Sequence, residues 1–591
     1  MTDLLYVSLW VTITHALLYA TVTGVLLISH REFALFNLSA GVWVVLGGWA
    51  ASTFASVFTA GDVPVNTGWL ILALTLGLGQ TATPLVLRER ISNPLLYMTG
   101  TIGFAIVTMS LGSNFVLAHA GATIPFGYSS IVTTTFFAVT IAILLGVSRL
   151  TTSIRWANAV FAFRYGKKFA AWRGLSLLLL LEWLLLLLVG ACSYSVHKGV
   201  FGQAELITII PVLSLLATNS HRWHAPLLAF ALAFAPHAVE LGVIWGSGNG
   251  GLQSSNLVAY TIVAFLALIV IGQRDRFRLS SRRNQWLPQI CNAPQLQRLR
   301  GNLVFALLSV ALVPVAVAML SPQLKYACFE TIWVLGCASL SFVAMRYLGV
   351  LSIAWPSIGG TFVYAYVVCG NTALFWVIVA PALAMSWCFY LWTLRVITLQ
   401  FAMLIDLASV VALHAFALST PRVTGLFEQA EVVVLAGIRA RHWVLLVGEL
   451  VVVYGMFGAA YLGASRSRMR QYALALVNPS YGESNGVSVV QVFFYCATLL
   501  VAAAALLALC YFGQVGTITP SSSLSVLVGI SAMLIGVCFN RFPALETVIG
   551  VFVAYFVLRT VALGGPLHEI VIGLAFVMLV FLVPKRVGVD A

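Results

Sequence analysis

Charge is what this sequence has least of. Only 8% of its 591 residues are Asp, Glu, Lys or Arg, whereas 61% are hydrophobic. A water-soluble globule needs a charged and polar surface, so the composition excludes that class. Apolar stretches of roughly 20 residues, each long enough to cross a bilayer, recur along the chain. Because lipid offers backbone groups no hydrogen-bond partner, stretches this apolar must be helices, and we expect an all-α polytopic membrane protein.

Sequence patterns for ATP, metal and disulfide chemistry are also missing. The phosphate-binding pattern Gly-x4-Gly-Lys-Ser/Thr does not occur, so we expect no ATP hydrolysis by this chain. The nine Cys are scattered without a Cys-x-x-Cys pair and are explained as small apolar residues. His221 and His224 are spaced as neighbours on a helix face, but nothing nearby completes a metal-ligand set. We therefore expect no metal, no cofactor and no enzyme site.

The charges that are present are mainly positive. Lys and Arg number 31 against 17 Asp and Glu, and the net charge is +14. They fall in short connections between spans, which is the positive-inside pattern of a multi-pass protein of the cell inner (cytoplasmic) membrane. Anionic lipid headgroups explain the positive excess better than nucleic acid does. Alternating the loops predicts about nineteen spans, beginning near 4–29, 35–60, 67–87 and 94–113, with the N-terminus outside and the C-terminus cytoplasmic.

One basic segment, Gln273–Arg300, interrupts the series of apolar spans. It holds seven Arg against the single acid Asp275, contains Pro288 and Pro294, and has no apolar period. We interpret residues 274–300 as a cytoplasmic linker between two transmembrane halves, residues 1–273 and 301–591. Both halves are expected to enter the membrane from the same side, as parallel repeats with the substrate path between them.

A motif rich in small residues follows the first span. Residues Phe36–Trp49 read FNLSAGVWVVLGGW, with Asn37 and Ser39 expected to open the second helix and Gly41 and Gly47 to thin it on two sides. Helix packing and helix capping are the alternatives to a role in binding. The spacing of Asn37, Gly41 and Gly47 resembles the Asn-Phe-Ala-His-Gly-x5-Gly-Ala-Tyr signature of permeases in branched-chain amino-acid-type ABC transporters. Ala40, Gly48 and Trp49 depart from that signature.

The second half carries its own version of the resemblance. Residues 349–358 read GVLSIAWPSI, similar to the Gly-Leu-Leu-Ser-Leu-Gly-His-Ala-Ala-Phe stretch of the partner permease. Gly349, Leu351, Ser352 and Tyr364 match, whereas Trp355 stands in the place of the family's His. The order of the two motifs implies a fused pair of permease halves.

Two internal segments are similar to the loop by which this family docks on its ATPase. Residues 475–489 read ALVNPSYGESNGVSV, in which Asn478, Glu483 and Gly486 match, and residues 169–176 of the first half read FAAWRGLS. Such a loop needs a short projecting helix that ends at a Gly and presents small residues to a cleft. An ordinary basic connection is the alternative. The matching residues of the first half are Ala170, Ala171 and Gly174.

The resemblance implies the permease component of an ABC importer for a small polar solute, such as a branched-chain or other amino acid, an amide or a urea-like compound. The path would be lined or shaped by Asn37, Ser39, Gly41, Gly47 and Ser352. Cytoplasmic ATPase subunits and an external solute-binding protein would be its partners, because the chain encodes neither activity.

Three carboxyl groups, Glu182, Asp406 and Glu449, fall inside apolar spans. An ionisable group there is costly and usually faces a bundle interior. They permit an alternative function, a self-sufficient secondary transporter or channel driven through these groups. The other explanation is structural, with each carboxyl protonated or hydrogen-bonded to a neighbouring helix.

The charge pattern generates a topology prediction. Alkaline phosphatase inserted within residues 114–129 should be active in a bacterial host, and green fluorescent protein fused after Ala591 should fluoresce, because the first site is external and the second cytoplasmic. An inactive phosphatase together with a dark C-terminal fusion would show that the orientation is reversed.

Overall fold

The computed structural model describes most of residues 2–115, 169–193, 204–234, 349–396 and 479–518, and scattered residues within 139–149, 332–348, 406–476 and 570–577. These residues are almost entirely helical. The helices are α1 Thr2–Phe33, α2 Ala40–Ala60, α3 Thr67–Leu87, α4 Pro94–Phe115, α5 Phe169–Cys192, α6 Ala204–Ala217, α7 His224–Phe234, α8 Trp355–Cys369, α9 Ala380–Val396, α10 at 444–452, α11 Pro479–Ser484 and α12 Val489–Val515. A π-helical turn, Phe375–Val379, leads into α9.

Four helical stretches in the described part of the chain are long and apolar enough to cross a membrane. They are Thr12–His30, Gly174–Cys192, Phe375–Arg395 and Val489–Gln514. A helical membrane protein is therefore confirmed at this level. The expected total of about nineteen spans and their orientation stay predictions.

The chain divides into two compact units. The first unit comprises Met1–Gln273 with Gly565–Asp590, and the second comprises Arg274–Gly564 with Ala591. In the first unit, Gly573 lies so close to α4 that an added Cβ would stand 2.6 Å from a methyl of Val107. The sequence assigns that C-terminal segment to the second half. The predicted linker at 274–300 lies outside the described residues.

In the first unit, glycines bring α2 and α5 into backbone contact. A Cβ added at Gly47 would stand 2.1 Å from the carbonyl oxygen of Leu187, and one at Gly190 would stand 1.8 Å from that of Val44. Near this crossing, the rings of Trp43 and Trp183 pack edge to face, with centroids 6.2 Å apart. Small residues at a crossing let two membrane helices approach closely and gain dispersion contacts.

The second unit is built around a similar crossing of α8 on α12. Here the close contact involves a glycine of α8, since a Cβ at Gly359 would stand 2.5 Å from the Cβ of Ala508 and 2.6 Å from the carbonyl oxygen of Ala504 on α12. Trp333 stacks on Tyr511 of α12, with centroids 5.0 Å apart and planes 7° from parallel.

The second unit also contains two-residue strands. Val423–Thr424 pairs antiparallel with Thr517–Ile518, and Val434–Leu435 pairs with Ile438–Arg439. The first pair places Val423–Thr424, which belong to a segment that the sequence predicts as external, beside the residues that follow α12.

The α2–α5 crossing generates a stability prediction. Gly47→Leu should destabilise the protein by about 3 kcal/mol, the upper end of the range for overpacking, because backbone atoms on α5 cannot rotate away. The measurement is the fraction of detergent-purified protein that stays monodisperse after heating. Gly79→Leu on α3 is the matched control, since nothing lies within 4 Å of its added Cβ. Equal losses in the two variants would contradict the packing account.

Candidate functional site

The second predicted span starts later than the sequence suggests. The described residues between the end of α1 and Ala40 are not helical, so Asn37 and Ser39 precede α2 instead of opening a helix at residue 35. We call Leu35 and residues 37–39 the first break. Asn37 is within hydrogen-bonding distance of Glu182, which is well inside the apolar stretch Gly174–Cys192. The break therefore lies beside the interior of that span.

Backbone groups at the first break find partners on three neighbouring elements. The N–H of Leu35 donates to the carbonyl of Ser29 on α1 at 3.4 Å. The N–H of Leu38 donates to Oγ1 of Thr101 on α4 at 3.2 Å, and the N–H of Gly41 donates to Oγ1 of Thr208 on α6 at 2.8 Å. These bonds allow non-helical backbone to be buried, because an unpaired N–H there costs about as much as a lost hydrogen bond.

Polar side chains fill the space around the first break. Asn37 Nδ2 donates to Glu182 Oε1 at 2.9 Å, and Asn37 Oδ1 accepts from Gln80 Nε2 at 3.2 Å. Trp43 Nε1 donates to Ser39 Oγ at 2.8 Å, and Ser39 Oγ lies 2.6 Å from Asn37 Oδ1. All five side chains are buried, and Glu182 and Ser39 have no exposed surface.

The second unit has a break of the same kind at residues 349, 350 and 352–354, which we call the second break. Ser352 Oγ donates to Asp406 Oδ1 at 3.0 Å, and the N–H of Ile353 donates to Asp406 Oδ2. The hydroxyl of Tyr390 on α9 donates to Asp406 Oδ1 at 2.7 Å. The carboxylate thus lies just before the N-terminus of α8, where a negative charge is favourable.

Four hydrogen bonds of the first break each have a counterpart at the second break. In each break, one N–H donates to a backbone carbonyl six residues earlier in the preceding helix, and a second N–H donates to a side chain of another element. A third N–H donates to the side chain two residues earlier, and a fourth, at the start of the following helix, donates to the carbonyl four residues earlier. At a constant offset along the chain, the matching bonds are Leu35 to Ser29 and Val350 to Ala344, Leu38 to Thr101 and Ile353 to Asp406, Ser39 to Asn37 and Ala354 to Ser352, and Trp43 to Ser39 and Ile358 to Ala354.

The breaks differ in how completely their carboxyl groups are hydrogen-bonded. Both oxygens of Asp406 accept hydrogen bonds. Of the two oxygens of Glu182, Oε1 accepts from Asn37, whereas Oε2 has no hydrogen-bond partner although it is buried.

The third carboxyl, Glu449 on α10, lies away from both breaks. It is fully buried, and its hydrogen-bonding neighbour is the neutral side chain of Gln514 on α12. The structural explanation, in which a buried carboxyl is protonated or hydrogen-bonded to a neighbouring helix, describes Asp406 and stays open for Glu449.

The glycines of the predicted path serve helix packing in the first unit. Gly47 meets α5, and a Cβ at Gly41 would stand 1.8 Å from the carbonyl oxygen of Ala204 on α6. The two glycines therefore thin α2 on two sides, each against a helix of the same unit. A bulky residue at Gly41 is expected to disturb this packing before it obstructs any path.

A small cleft with a volume of about 20 Å³ opens between α2, α3 and α4. Leu46 and Trp49 of α2, Trp69 of α3 and Thr108 of α4 contribute to its wall. The hydroxyl oxygen of Thr108 is buried and unpartnered. At 1.5 Å per residue, this wall begins roughly 10 Å along α2 from the first break.

The predicted coupling segment of the second half contains a short helix that ends at a glycine. Helix α11 is followed by Gly486 at a φ of 66°, a left-handed conformation that favours glycine, and the N–H of Val487 donates to the carbonyl of Gly482 at 2.8 Å. Arg395 of α9 donates to the carbonyl of Leu476, just before this helix, and its guanidinium lies 5.4 Å from the ring centre of Phe493. Glu483 lies in α11, whereas Asn478 is outside the described residues.

The corresponding segment of the first half is arranged differently. Ala170, Ala171 and Gly174 lie in the first turns of α5, which continues without interruption to Cys192. Gly174 does not end a helix, because the helix continues through Leu175 and the apolar residues that follow it.

Sequence reasoning missed several partners of the predicted path residues. Their single polar side chains in apolar helices have no local pattern, and only folding brings them together. They are Trp43, Gln80, Thr101, Thr208 and Tyr390. Among the residues described, no group of three or more His, Cys, Asp and Glu is placed to hold a metal ion.

The first break generates a coupling prediction. In a double-mutant cycle of unfolding free energies, Asn37→Ala and Glu182→Ala should show a coupling of about 0.5–3 kcal/mol, because each removes the same buried hydrogen bond. Asn37→Ala combined with Thr75→Ala, an exposed residue bonded within α3, should be additive. Additivity of the Asn37 and Glu182 changes would show that the bond does not stabilise the break.

The chain was compared with protein-family models, with curated proteins and with solved structures. It matches none of them. The resemblance to the ABC permeases thus depends on the motifs of the two breaks and of the coupling segments.

Proposed function

We propose that this protein is a permease that moves a small polar solute across the cell inner membrane as the transmembrane component of an ABC importer. The observation that carries the proposal is the pair of buried helix breaks. In a membrane, non-helical backbone is tolerated only inside protein or beside a water-filled path, and discontinuous helices are typical of transporter binding sites.

The first break supports a solute site by its chemistry. Asn37, Ser39 and Gln80 supply amide and hydroxyl groups that both donate and accept hydrogen bonds. Helix α2 joins this polar cluster to the cleft lined by Trp49 and Trp69. A path along α2 would therefore offer a polar solute aromatic surfaces first and hydrogen-bonding groups next. Ser352 takes the corresponding position at the second break.

The assignment to an ABC importer depends on the resemblance and on the coupling segment. The chain has no phosphate-binding loop, so separate cytoplasmic ATPase subunits would supply the energy. Helix α11, with Gly486 at its end, provides the short helix such a subunit would receive. Arg395 of α9 contacts both Leu476, just before α11, and Phe493 of α12. A displacement of α11 would therefore be transmitted to α9 and α12. An external solute-binding protein would deliver the solute.

A secondary transporter is the second candidate, and one observation favours it. Two of the three carboxyl groups inside apolar spans bond directly to predicted path residues, Glu182 to Asn37 and Asp406 to Ser352. A carrier driven by an ion gradient would need titratable groups in this place.

Reconstitution separates the two candidates. The purified chain in proteoliposomes should take up none of a panel of radiolabelled leucine, glutamate, urea and acetamide, with or without a proton gradient. The same chain with its co-purified ATPase subunits and enclosed ATP should take up at least one of them. Gradient-driven uptake by the chain alone would replace the importer proposal with the carrier.

The joint after α11 generates a second test of the importer. Gly486→Val should abolish ATP-driven uptake without unfolding the membrane domain, because a β-branched residue is strained at a φ of 66° although nothing lies within 4 Å of the added Cβ. Gly486→Asn is the matched control and should retain uptake, since Asn tolerates this conformation. Normal uptake by Gly486→Val would remove the joint from the coupling route.

A further inference from the structure

The two breaks place their carboxyl groups in opposite electrostatic situations. Asp406 receives hydrogen bonds from Ser352, from Tyr390 and from the backbone N–H of Ile353, and it lies before the N-terminus of α8. Three donors and a helix N-terminus compensate a full negative charge. Asp406 therefore fits an ionised carboxylate whose bonds hold the second break together.

Glu182 has far less to compensate a charge. Its hydrogen-bonding neighbours are the neutral groups of Asn37, whose amide lies 2.9 Å from Oε1, and of Ser29 on α1, and neither pairs with Oε2 in ordinary hydrogen-bond geometry. Its neighbours are Ser29 on α1, Asn37 at the break, and Tyr97 on α4, which itself contacts Gln80 of α3. Tyr97 is the titratable group among them, and in the described part of the chain no cationic group acts on Glu182. Burying an anion there costs more than burying the neutral acid.

In this conformation, the space around Oε2 of Glu182 determines which ligand can reach it. Glu182 has no exposed surface, so not even a water molecule touches it. A solute cannot reach Oε2 while α1, α2 and α5 are packed as they are, whereas a proton needs no cavity.

We infer that Glu182 is a proton-binding site of the first break, and that Asp406, which bonds to Ser352 at the second break as Glu182 bonds to Asn37 at the first, is a fixed anion. Proton binding is a simple acid–base equilibrium: the proton comes from water, forms the O–H bond on the carboxyl of Glu182, and returns to water when that bond breaks. The neutral acid lets the first break close. The ionised form demands further donors, from water or from a solute, and so favours opening. This inference goes beyond the permease proposal and does not need ATP coupling.

Infrared spectroscopy of the purified full-length chain tests the inference without a known solute. The carbonyl stretch of a neutral carboxyl group is separate from the carboxylate bands. At pH 7, Glu182→Gln should remove one component of that band, and Asp406→Asn should remove none. The Glu182 component should shift after transfer to D2O, because the proton exchanges with water.

Two further variants keep the test decisive. Glu449, which is buried beside the neutral side chain of Gln514, should contribute a second neutral component, which Glu449→Gln removes and Glu182→Gln leaves unchanged. If Asp406→Asn does not fold, Tyr390→Phe removes one donor and spares the carboxyl, and it should add no neutral component. An unchanged band in Glu182→Gln, or a component lost in Asp406→Asn, would overturn the inference. A Glu182 component that does not shift in D2O would overturn the exchange. None of these outcomes bears on the importer proposal, which the uptake experiment tests separately.

Discussion

The hydrogen-bonding demand of broken backbone is the constraint on which the rest of this structure depends. Each unit interrupts an apolar helical run, and every interruption exposes N–H groups that neither lipid nor apolar side chains can satisfy. Thr101 and Thr208 meet that demand in the first unit, and Asp406 meets it in the second. Polar residues on several different helices make the two short non-helical segments possible. Continuous helices that only span the membrane would not require these polar partners.

Close helix packing holds those partners in position. The glycines at positions 41, 47 and 190 bring α2 against α5 and α6 with backbone atoms in contact, which fixes Glu182 and Thr208 relative to the break. In the second unit, Gly359 does the same for α8 and α12. The α2–α5 crossing has a glycine on each helix, whereas the α8–α12 crossing has one on α8. Similar helix crossings are therefore formed by different sequences. The hydrogen-bond pattern of the breaks is retained where residue identity is not, as Asn37 and Ser352 illustrate.

Sequence reasoning predicted what depends on composition and local pattern. Apolar length predicted helices, and the small polar residues at 37, 39 and 352 pointed to helix starts, next to the places where the structure has the two breaks. It placed the start of α2 too early, because Asn37 and Ser39 fit a helix N-terminus as well as an extended segment. It treated Glu182 and Asp406 as separate from the path, since residues 145 and 54 positions apart have no common pattern before folding. For the same reason Gly41 and Gly47 pointed to a path as readily as to packing.

The central claim is that the first break contacts the transported solute. The most direct measurement is the concentration dependence of ATP-driven uptake by Asn37→Ser, which replaces the amide at the break with a shorter hydroxyl group. If the break binds solute, the apparent affinity should fall while the folded yield and the maximal rate stay close to those of the unmodified protein. The exposed variant Thr75→Ala should change neither. An unchanged affinity in a folded, active Asn37→Ser protein would contradict the account.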